Sequence, residues 1–222
     1  MTVQNYAIIV AGGSGSRMKS EIPKQFLELN GQPILMHTLR AFYFDSTELI
    51  LVLPEPQFEY WISLCEKHSF TISYKLVKGG ETRFHSVKNG LDSIEGTEGL
   101  VAIHDGVRPI IKKEIIDNAY HLAAKHGSAI ASVPLKDSIR VINQEGNSHV
   151  DRVNYRLIQT PQTFQLQLIK KAFEAGFRQS FTDDASVFEF SGQKVHLFEG
   201  DYRNIKITTP EDLQIAETFL AL

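Results

Sequence analysis

Apolar, β-branched runs recur along the chain and alternate with segments of helical period. The runs lie at Tyr6–Val10, Leu49–Leu53, Ile72–Val77, Leu100–Ile103, Ala129–Val133, Lys194–Phe198 and Ile205–Thr208. The helical segments are Pro33–Phe44, Pro56–His68, Thr82–Ile94, Lys112–His126, Gln165–Phe177 and Pro210–Leu220. Several runs are continuous rather than alternating, which is typical of strands covered on both faces. The pattern predicts an α/β fold with a mostly parallel sheet and helices on both of its faces.

One stretch, at about residues 136–156, departs from this alternation. Two short strand-like runs, Ser138–Ile142 and His149–Val153, flank the polar turn Asn143–Asn147 and predict a β-hairpin. A two-stranded hairpin is marginal in water unless it packs on something. We therefore expect a protruding arm that packs on a partner subunit in a homodimer. An ordinary surface hairpin on its own domain is the alternative.

Length and charge narrow the class of protein. The 222 residues fit a single domain spanning 1–222, because one hydrophobic core stops growing near ~250 residues. With 23 Lys+Arg against 26 Asp+Glu, the net charge of −3 lacks the basic excess that binds nucleic-acid backbones. The single cysteine, Cys65, cannot form an internal disulfide, which favours a cytoplasmic location. The first apolar run, Ala7–Ala11, is too short for a signal core or a membrane span, so we expect no membrane attachment.

A glycine-rich stretch, Ala11-Gly-Gly-Ser-Gly-Ser-Arg17, follows the first predicted strand directly. Glycines let backbone N–H groups approach an anion, and Arg17, Lys19 and Lys24 add positive charge nearby. The stretch therefore predicts a nucleotide phosphate site. A P-loop is excluded because no Gly in the required register precedes Lys-Ser or Lys-Thr, and a dinucleotide fingerprint fails at Met18. A glycine-rich turn without a ligand is the alternative.

Eight further motifs follow the glycine-rich stretch along the chain. They are Pro23-Lys24-Gln25, Gly31-Gln-Pro33, Gly79-Gly80-x-x-Arg83, His104-Asp105-x-x-Arg108-Pro109, Val150-Asp-Arg152, Thr160-Pro-Gln162-x-Phe164, Thr182-Asp-Asp-Ala-Ser186 and Asn204-Ile-Lys206. With the glycine stretch, they resemble the sugar-phosphate nucleotidylyltransferases over essentially the whole chain. Within these they are similar to the 2-C-methyl-D-erythritol 4-phosphate cytidylyltransferase family of the non-mevalonate isoprenoid pathway. The resemblance implies a Rossmann-like fold and an enzyme that joins CTP to that acceptor and releases pyrophosphate.

The resemblance also assigns roles to individual residues. Arg17 and Lys24 would stabilise the transition state at the α-phosphate, while Arg152 and Lys206 would orient the attacking phosphate. Nucleotide binding would fall to Ala11, Gly12, Gly13, Gly15, Glu81, Arg83 and Ser86, and acceptor binding to Arg108, Ser138, Thr160 and Thr182. Glu81 stands where the family commonly has Asp, and an acid that complements a helix start is its alternative reading.

Two carboxylates are candidate metal ligands. Asp105 and Asp201 each follow a predicted strand, and open α/β sheets bind ligands at the carboxyl ends of their strands. Together with triphosphate oxygens they would suit the octahedral coordination of Mg²⁺, the expected cofactor. His104 has no second histidine at ligand spacing, so a structural role is expected. Asp183 and Asp184 are typical of a helix start.

Two other functions remain open from the sequence. Ribitol-5-phosphate cytidylyltransferases share several of these motifs, although Val150-Asp-Arg152 and Thr182–Ser186 favour methylerythritol phosphate. A non-catalytic nucleotide-binding module would keep the fold without the chemistry. The presence of all the candidate cations and carboxylates favours an enzyme.

Overall fold

The computed structural model describes residues 3–13, 18, 20–44 and 47–221. In this part of the chain the strands are β1 (Asn5–Val10), β2 (Glu28–Leu29), β3 (Gln32–Pro33), β4 (Thr47–Leu53), β5 (Lys75–Lys78), β6 (Leu100–Asp105), β7 (Ser128–Pro134), β8 (Ile139–Asn143), β9 (Gly146–Val150), β10 (Arg156–Gln165) and β11 (Leu197–Glu199). The α-helices are α1 (Ile34–Ala41), α2 (Phe58–Lys67), α3 (Arg83–Asp92), α4 (Lys113–His126), α5 (Leu166–Phe173), α6 (Asp184–Phe190) and α7 (Pro210–Leu220).

Seven strands form one central sheet in the order β11-β7-β10-β6-β1-β4-β5. β1 pairs in parallel with both β4 and β6, while β10 runs antiparallel between β6 and β7. Val10 of β1 lies opposite Asp105 of β6, so these two strands end at the same edge of the sheet. The α/β fold with a mostly parallel sheet is confirmed, and this edge is where such a sheet binds a ligand.

The core explains why the strand sequences are continuously apolar. Alternate residues of β1 enter different clusters: Ala7 and Ile9 pack with one set of helices, and Ile8 and Val10 pack with the other. Both faces of the sheet are therefore covered. Cys65 is half-buried, with its Sγ 3.6 Å from the Tyr74 hydroxyl oxygen, and burial raises the pKa of this thiol. Among the described residues, no helix combines the length and the apolar character needed to cross a membrane.

Three sequence-based expectations were wrong or incomplete. Ile205–Thr208 is not a strand; instead the Ile207 N–H donates to the Val107 carbonyl at 2.9 Å, beyond the end of β6. The long strand β10 was missed because Pro161 and several polar residues interrupt its pattern, and proline is unusual inside a central strand. Helix α6 was also missed, although its start was recognised: Asp183 caps it and accepts from the Ser186 N–H at 2.9 Å.

The predicted hairpin is present as β8 and β9, a separate antiparallel pair outside the central sheet. Its apolar side chains contact little of the rest of the protomer and are largely exposed. Val141 is 49% exposed and Ile142 82% exposed, and Val153, just beyond β9, is 76% exposed. A monomer would leave this apolar surface in water, so the geometry matches the expected β-arm, defined here as residues 136–156.

Candidate functional site

A cleft opens at the sheet edge where β1 and β6 end. Its volume of about 180 Å³ is more than ten times the roughly 10–15 Å³ that a cavity needs to hold one water, so it can take part of a larger ligand. Nine of the residues singled out from the sequence line it: Ala11, Gly12, Gly13, Lys24, Glu81, Arg83, Ser86, Asp105 and Lys206. Several of the motifs that are scattered along the chain therefore converge on one site. Arg17 and Gly15, also expected there, lie outside the described residues.

Two glycine stretches form the walls that a nucleotide would approach. Gly12 and Gly13 are exposed directly after β1, next to Lys24, which is only 8% exposed. On the opposite side, the Gly80 N–H donates to the Ser86 hydroxyl at 3.1 Å. A Cβ at Gly80 would collide with the Cβ of His85, so this close approach requires glycine. Thr82, not Glu81, caps α3, and Glu81 is exposed at the rim of the cleft.

Asp105 carries the negative charge at the centre of the site. Its carboxylate lies 3.1 Å from Lys206 Nζ, 3.2 Å from Arg108 Nε and 3.7 Å from Arg83 Nε. Burial by itself would raise the pKa of Asp105, but Arg83, Lys206 and Arg108 outweigh it and hold that pKa well below its usual range. Asp105 is therefore an anion under all physiological conditions, held among three cations.

His104 supports the Asp105 backbone through the hydroxyl of Thr160. The ring is fully buried, and its Nε2 lies 3.1 Å from the Arg108 carbonyl oxygen, which can only accept, so Nε2 carries the proton. Nδ1 then accepts from the Thr160 hydroxyl at 3.1 Å, and the Thr160 oxygen accepts from the Asp105 N–H at 3.1 Å. Burial lowers the pKa of His104 to about 4. The structural role expected for His104 fits this neutral, buried ring.

Arg83 joins the two sides of the site. It donates from Nη1 and Nη2 to the two carboxylate oxygens of Asp184, at 2.8 Å and 2.6 Å, and Asp184 is 1% exposed. This bidentate pair links α3 to the start of α6. Its guanidinium is thus largely committed within the protein. The sequence indicates only a helix start at Asp184, because the partner of this carboxylate lies 101 residues away.

The acceptor-side candidates are arranged differently. Arg108 is held by Asp105 and donates from Nη1 to the Asn204 carbonyl at 2.7 Å. Thr160 is 5% exposed, with its hydroxyl engaged as described above. Thr182 is exposed beside the N-terminus of α6, and its N–H donates to the Ser186 hydroxyl at 3.1 Å. Their roles toward a ligand remain predictions.

Six expected site residues within the described part of the chain do not line the cleft: Arg108, Thr160 and Thr182, described above, and Ser138, Arg152 and Asp201. Ser138 and Arg152 are exposed near the base of the β-arm, where the Arg152 guanidinium donates to the Lys136 carbonyl. The Asp201 carboxylate lies 2.8 Å from Lys112 Nζ and accepts from the Arg203 N–H at 2.8 Å. Burial opposes ionisation of Asp201, yet these contacts with Lys112 and Arg203 lower its pKa.

Gln25 and Val107 also line the cleft, although the sequence predicts a role there for neither. The Pro23-Lys24-Gln25 motif contains the signal for Gln25, but its contacts with Ala11 and Gln57 depend on the tertiary fold. Across the ranges 3–13, 18, 20–44 and 47–221, no three His, Cys, Asp or Glu side chains are grouped as a metal site.

Comparison with known proteins identifies what the chain resembles. A family model described as 2-C-methyl-D-erythritol 4-phosphate cytidylyltransferase matches residues 5–221. Proteins of that name from Bacteroides thetaiotaomicron and Phocaeicola vulgatus are 50% identical over 215 residues and 48% identical over 220 residues. These alignments cover 96% and 98% of this chain, and 98% and 100% of the relatives. The crystal structure of 4-diphosphocytidyl-2C-methyl-D-erythritol synthase from Anaerococcus prevotii superposes with a TM-score of 0.85 at 31% identity, covering 99% of this chain and 97% of that one.

Proposed function

The chain belongs to the 2-C-methyl-D-erythritol 4-phosphate cytidylyltransferase family, and on that premise we propose which of its side chains carry out the reaction. It is a nucleotidyltransferase that joins CTP and 2-C-methyl-D-erythritol 4-phosphate in isoprenoid precursor biosynthesis. An oxygen of the acceptor phosphate attacks the α-phosphorus of CTP, and pyrophosphate leaves. Catalysis of this kind depends on positioning and on stabilising charge, and it needs no protein nucleophile. The observation that carries the proposal is the convergence of Lys24, Asp105 and Lys206 on one cleft.

The nucleotide half of the site is proposed to lie between the two glycine walls. Backbone N–H groups of Gly12 and Gly13 would hold phosphate oxygens, since no Cβ obstructs them. Lys24 would place its ammonium against the α-phosphate, with Arg17 as the second cation. Ser86 and Glu81 would meet the cytosine end, where a carboxylate accepts from the amino group that cytosine has and uracil lacks.

Magnesium is proposed as the cofactor, and the chemistry of Asp105 supports it. This carboxylate stays ionised, lines the cleft, and is a hard oxygen donor of the kind Mg²⁺ prefers. Mg²⁺ often takes only one or two carboxylates and completes its shell with phosphate oxygens and water. When bound, it would neutralise charge on the triphosphate. Asp201 is the weaker candidate, because its carboxylate is already paired with Lys112.

Lys206 is proposed to hold the acceptor phosphate. Its Nζ lies at the cleft, 3.1 Å from Asp105, where it would border both the nucleotide and the acceptor phosphate. Arg108 would add a second positive charge, and Thr160, Thr182 and Ser138 would contribute hydroxyl contacts. Holding the attacking phosphate in line matters because a misplacement of about 1 Å can cost about 100-fold in rate.

Arg152 is proposed to act in the site of a partner subunit. It is exposed just after β9 and does not line its own cleft, and the β-arm presents apolar side chains to solvent. A homodimer that exchanges β-arms would bury these side chains and deliver Arg152 to the neighbouring acceptor phosphate. We also propose a cytoplasmic location, supported by the single cysteine, which cell fractionation would test.

Subunit complementation tests this arrangement. Lys24→Ala and Arg152→Ala are each expected to be nearly inactive, because each removes one phosphate-binding cation from every site. Mixed and allowed to exchange subunits, they should recover about a quarter of wild-type activity, since half of the dimers are mixed and one of their two sites is intact. Failure to recover activity, in dimers whose exchange is verified by mass, would contradict delivery of Arg152 from the partner.

Acceptor choice is tested separately. The ratio kcat/KM with CTP should be higher for 2-C-methyl-D-erythritol 4-phosphate than for ribitol 5-phosphate, the acceptor of the related enzymes. A preference for ribitol 5-phosphate would contradict the assignment of the acceptor without affecting the nucleotide half of the site.

A further inference from the structure

Gln25 lies beside Lys24 but has no role in the chemistry described so far. Its side chain is 1% exposed, at the base of the cleft. Lys24, Gln25 and Phe26 form one short 3-10 turn, stabilised by the Phe26 N–H donating to the Pro23 carbonyl at 2.8 Å. On its far side this turn is anchored by Phe26, whose ring stacks on Trp61 with centroids 6.0 Å apart.

The Gln25 carboxamide ties this turn to two other segments. Nε2 donates to the Ala11 carbonyl at 2.9 Å and to Oε1 of Gln57 at 2.7 Å. A backbone carbonyl can only accept, so the atom facing Ala11 must be the amide nitrogen. Ala11 is where β1 passes into the glycine stretch, and Gln57 lies in the turn after β4. One side chain therefore connects the turn of Lys24 to the start of the nucleotide loop.

The oxygen of the same carboxamide indicates the role of the side chain. Oε1 of Gln25 is buried and has no hydrogen-bond partner among the described residues. Burying an unpaired amide oxygen costs free energy, and an apolar side chain of the same shape would avoid that cost. Packing alone therefore does not explain glutamine at this position. The amide N–H group explains it, because it donates to the Ala11 carbonyl and fixes the distance of Ala11 from the turn.

We infer that Gln25 is a positioning residue for the transfer, which sets Lys24 against the nucleotide loop by holding the Ala11 carbonyl. Gln25 does not touch the reacting atoms, since its carboxamide faces the protein. It acts through Lys24, and the inference rests on the role proposed for that lysine. Losing the tie would let the Lys24 turn and the glycine stretch move apart, which weakens charge stabilisation in the transition state more than ground-state binding of CTP.

Gln25→Met tests this, because methionine keeps the length and volume of glutamine but donates no hydrogen bond. The expected result is a fall in kcat of about 10- to 100-fold, with KM for CTP and for the acceptor within about threefold of wild type. The matched control is Gln165→Met at the opposite end of the sheet, where Nε2 donates to the Ala124 carbonyl at 3.0 Å. That variant should keep its kcat. Thermal unfolding of both shows that the fold is retained.

A double-mutant cycle with Lys24→Ala identifies the route of the effect. If Gln25 acts through Lys24, Gln25→Met should cost less than about threefold once Lys24 is already removed. An equal cost in both backgrounds, or wild-type kcat in Gln25→Met, would overturn the inference. Full activity of Lys24→Ala would overturn both the inference and the proposed role of Lys24. If Gln25→Met fails to fold, Gln25→Asn takes its place in the cycle. Asparagine keeps the donors but is one methylene too short to reach the Ala11 carbonyl. An equal cost in both backgrounds would again overturn the inference.

Discussion

His104 makes the stability of this protein depend on pH in a way that can be calculated from the structure. The ring is fully buried behind Asp105 and must stay neutral, because Nδ1 accepts the hydrogen bond from the Thr160 hydroxyl. A proton on Nδ1 would remove that acceptor and place a charge in a buried environment. Mild acid, between pH 7 and pH 4.5, should therefore destabilise the folded protein.

The magnitude follows from the two pKa values. Burial lowers the pKa of His104 from 6.5 to about 4 in the folded protein. Between these values the unfolded chain binds a proton that the folded protein does not, so stability falls as the pH decreases from about 6.5 to about 4. At about 1.4 kcal/mol for each pH unit, the full loss is about 3 kcal/mol. At pH 4.5 most of it, about 2 to 3 kcal/mol, should already be lost.

Urea unfolding measures this loss in comparison with His104→Gln, which keeps hydrogen-bonding capacity but cannot titrate. The free energy of unfolding of each protein is measured at several pH values from 7 to 4.5. Other groups that titrate in this range, such as His37, contribute to both curves and cancel in their difference. From pH 7 to pH 4.5, the free energy of unfolding of the wild type should fall by about 2 to 3 kcal/mol more than that of His104→Gln. Parallel curves would refute the burial and neutrality assigned to His104.

Two further predictions concern the framework of the site, and a third concerns the β-arm. Asp184→Asn should lower the free energy of unfolding by about 3 kcal/mol, because it leaves the Arg83 guanidinium without its buried partner; a loss below about 1 kcal/mol in urea would contradict this. Gly80→Ala should lower the thermal midpoint and weaken CTP binding by calorimetry, because the new methyl group collides with His85; unchanged binding would contradict it. Ile142→Asp should weaken the dimer in sedimentation equilibrium, since Ile142 is 82% exposed in the protomer; an unchanged distribution would count against the β-arm interface.

The parts of the fold that follow from local pattern were predictable. The apolar runs at β1, β4, β6 and β7 and the helical periods of α2, α3, α4 and α7 all appear, with shifts of a few residues at their ends. β10 was not predictable, because its buried polar residues are stabilised by partners far along the chain. Gln162, for example, donates to Asp183 and accepts from the Ala185 N–H, both at 2.8 Å. A window of sequence cannot distinguish such residues from those of a loop.

The same distinction applies to the site. Lys24, Asp105 and Lys206, which the motifs singled out, line one cleft, because family resemblance and strand ends both indicate the carboxyl edge of the sheet. The supporting contacts were not foreseen. The pairing of Arg83 with Asp184 joins residues 101 positions apart, and the tie between Gln25 and Ala11 joins a turn to a strand end. These contacts exist only after the sheet has formed, so only the three-dimensional structure reveals them.

The transfer in this cleft is measured as pyrophosphate release from CTP, Mg²⁺ and 2-C-methyl-D-erythritol 4-phosphate, compared between the wild type and Lys24→Ala. Removing one preorganised donor to a transition-state oxyanion costs about 100- to 1000-fold in kcat. We expect a loss of that size for Lys24→Ala, with a thermal unfolding midpoint close to that of the wild type. Undiminished turnover in the folded variant would contradict the placement of the transfer in this cleft.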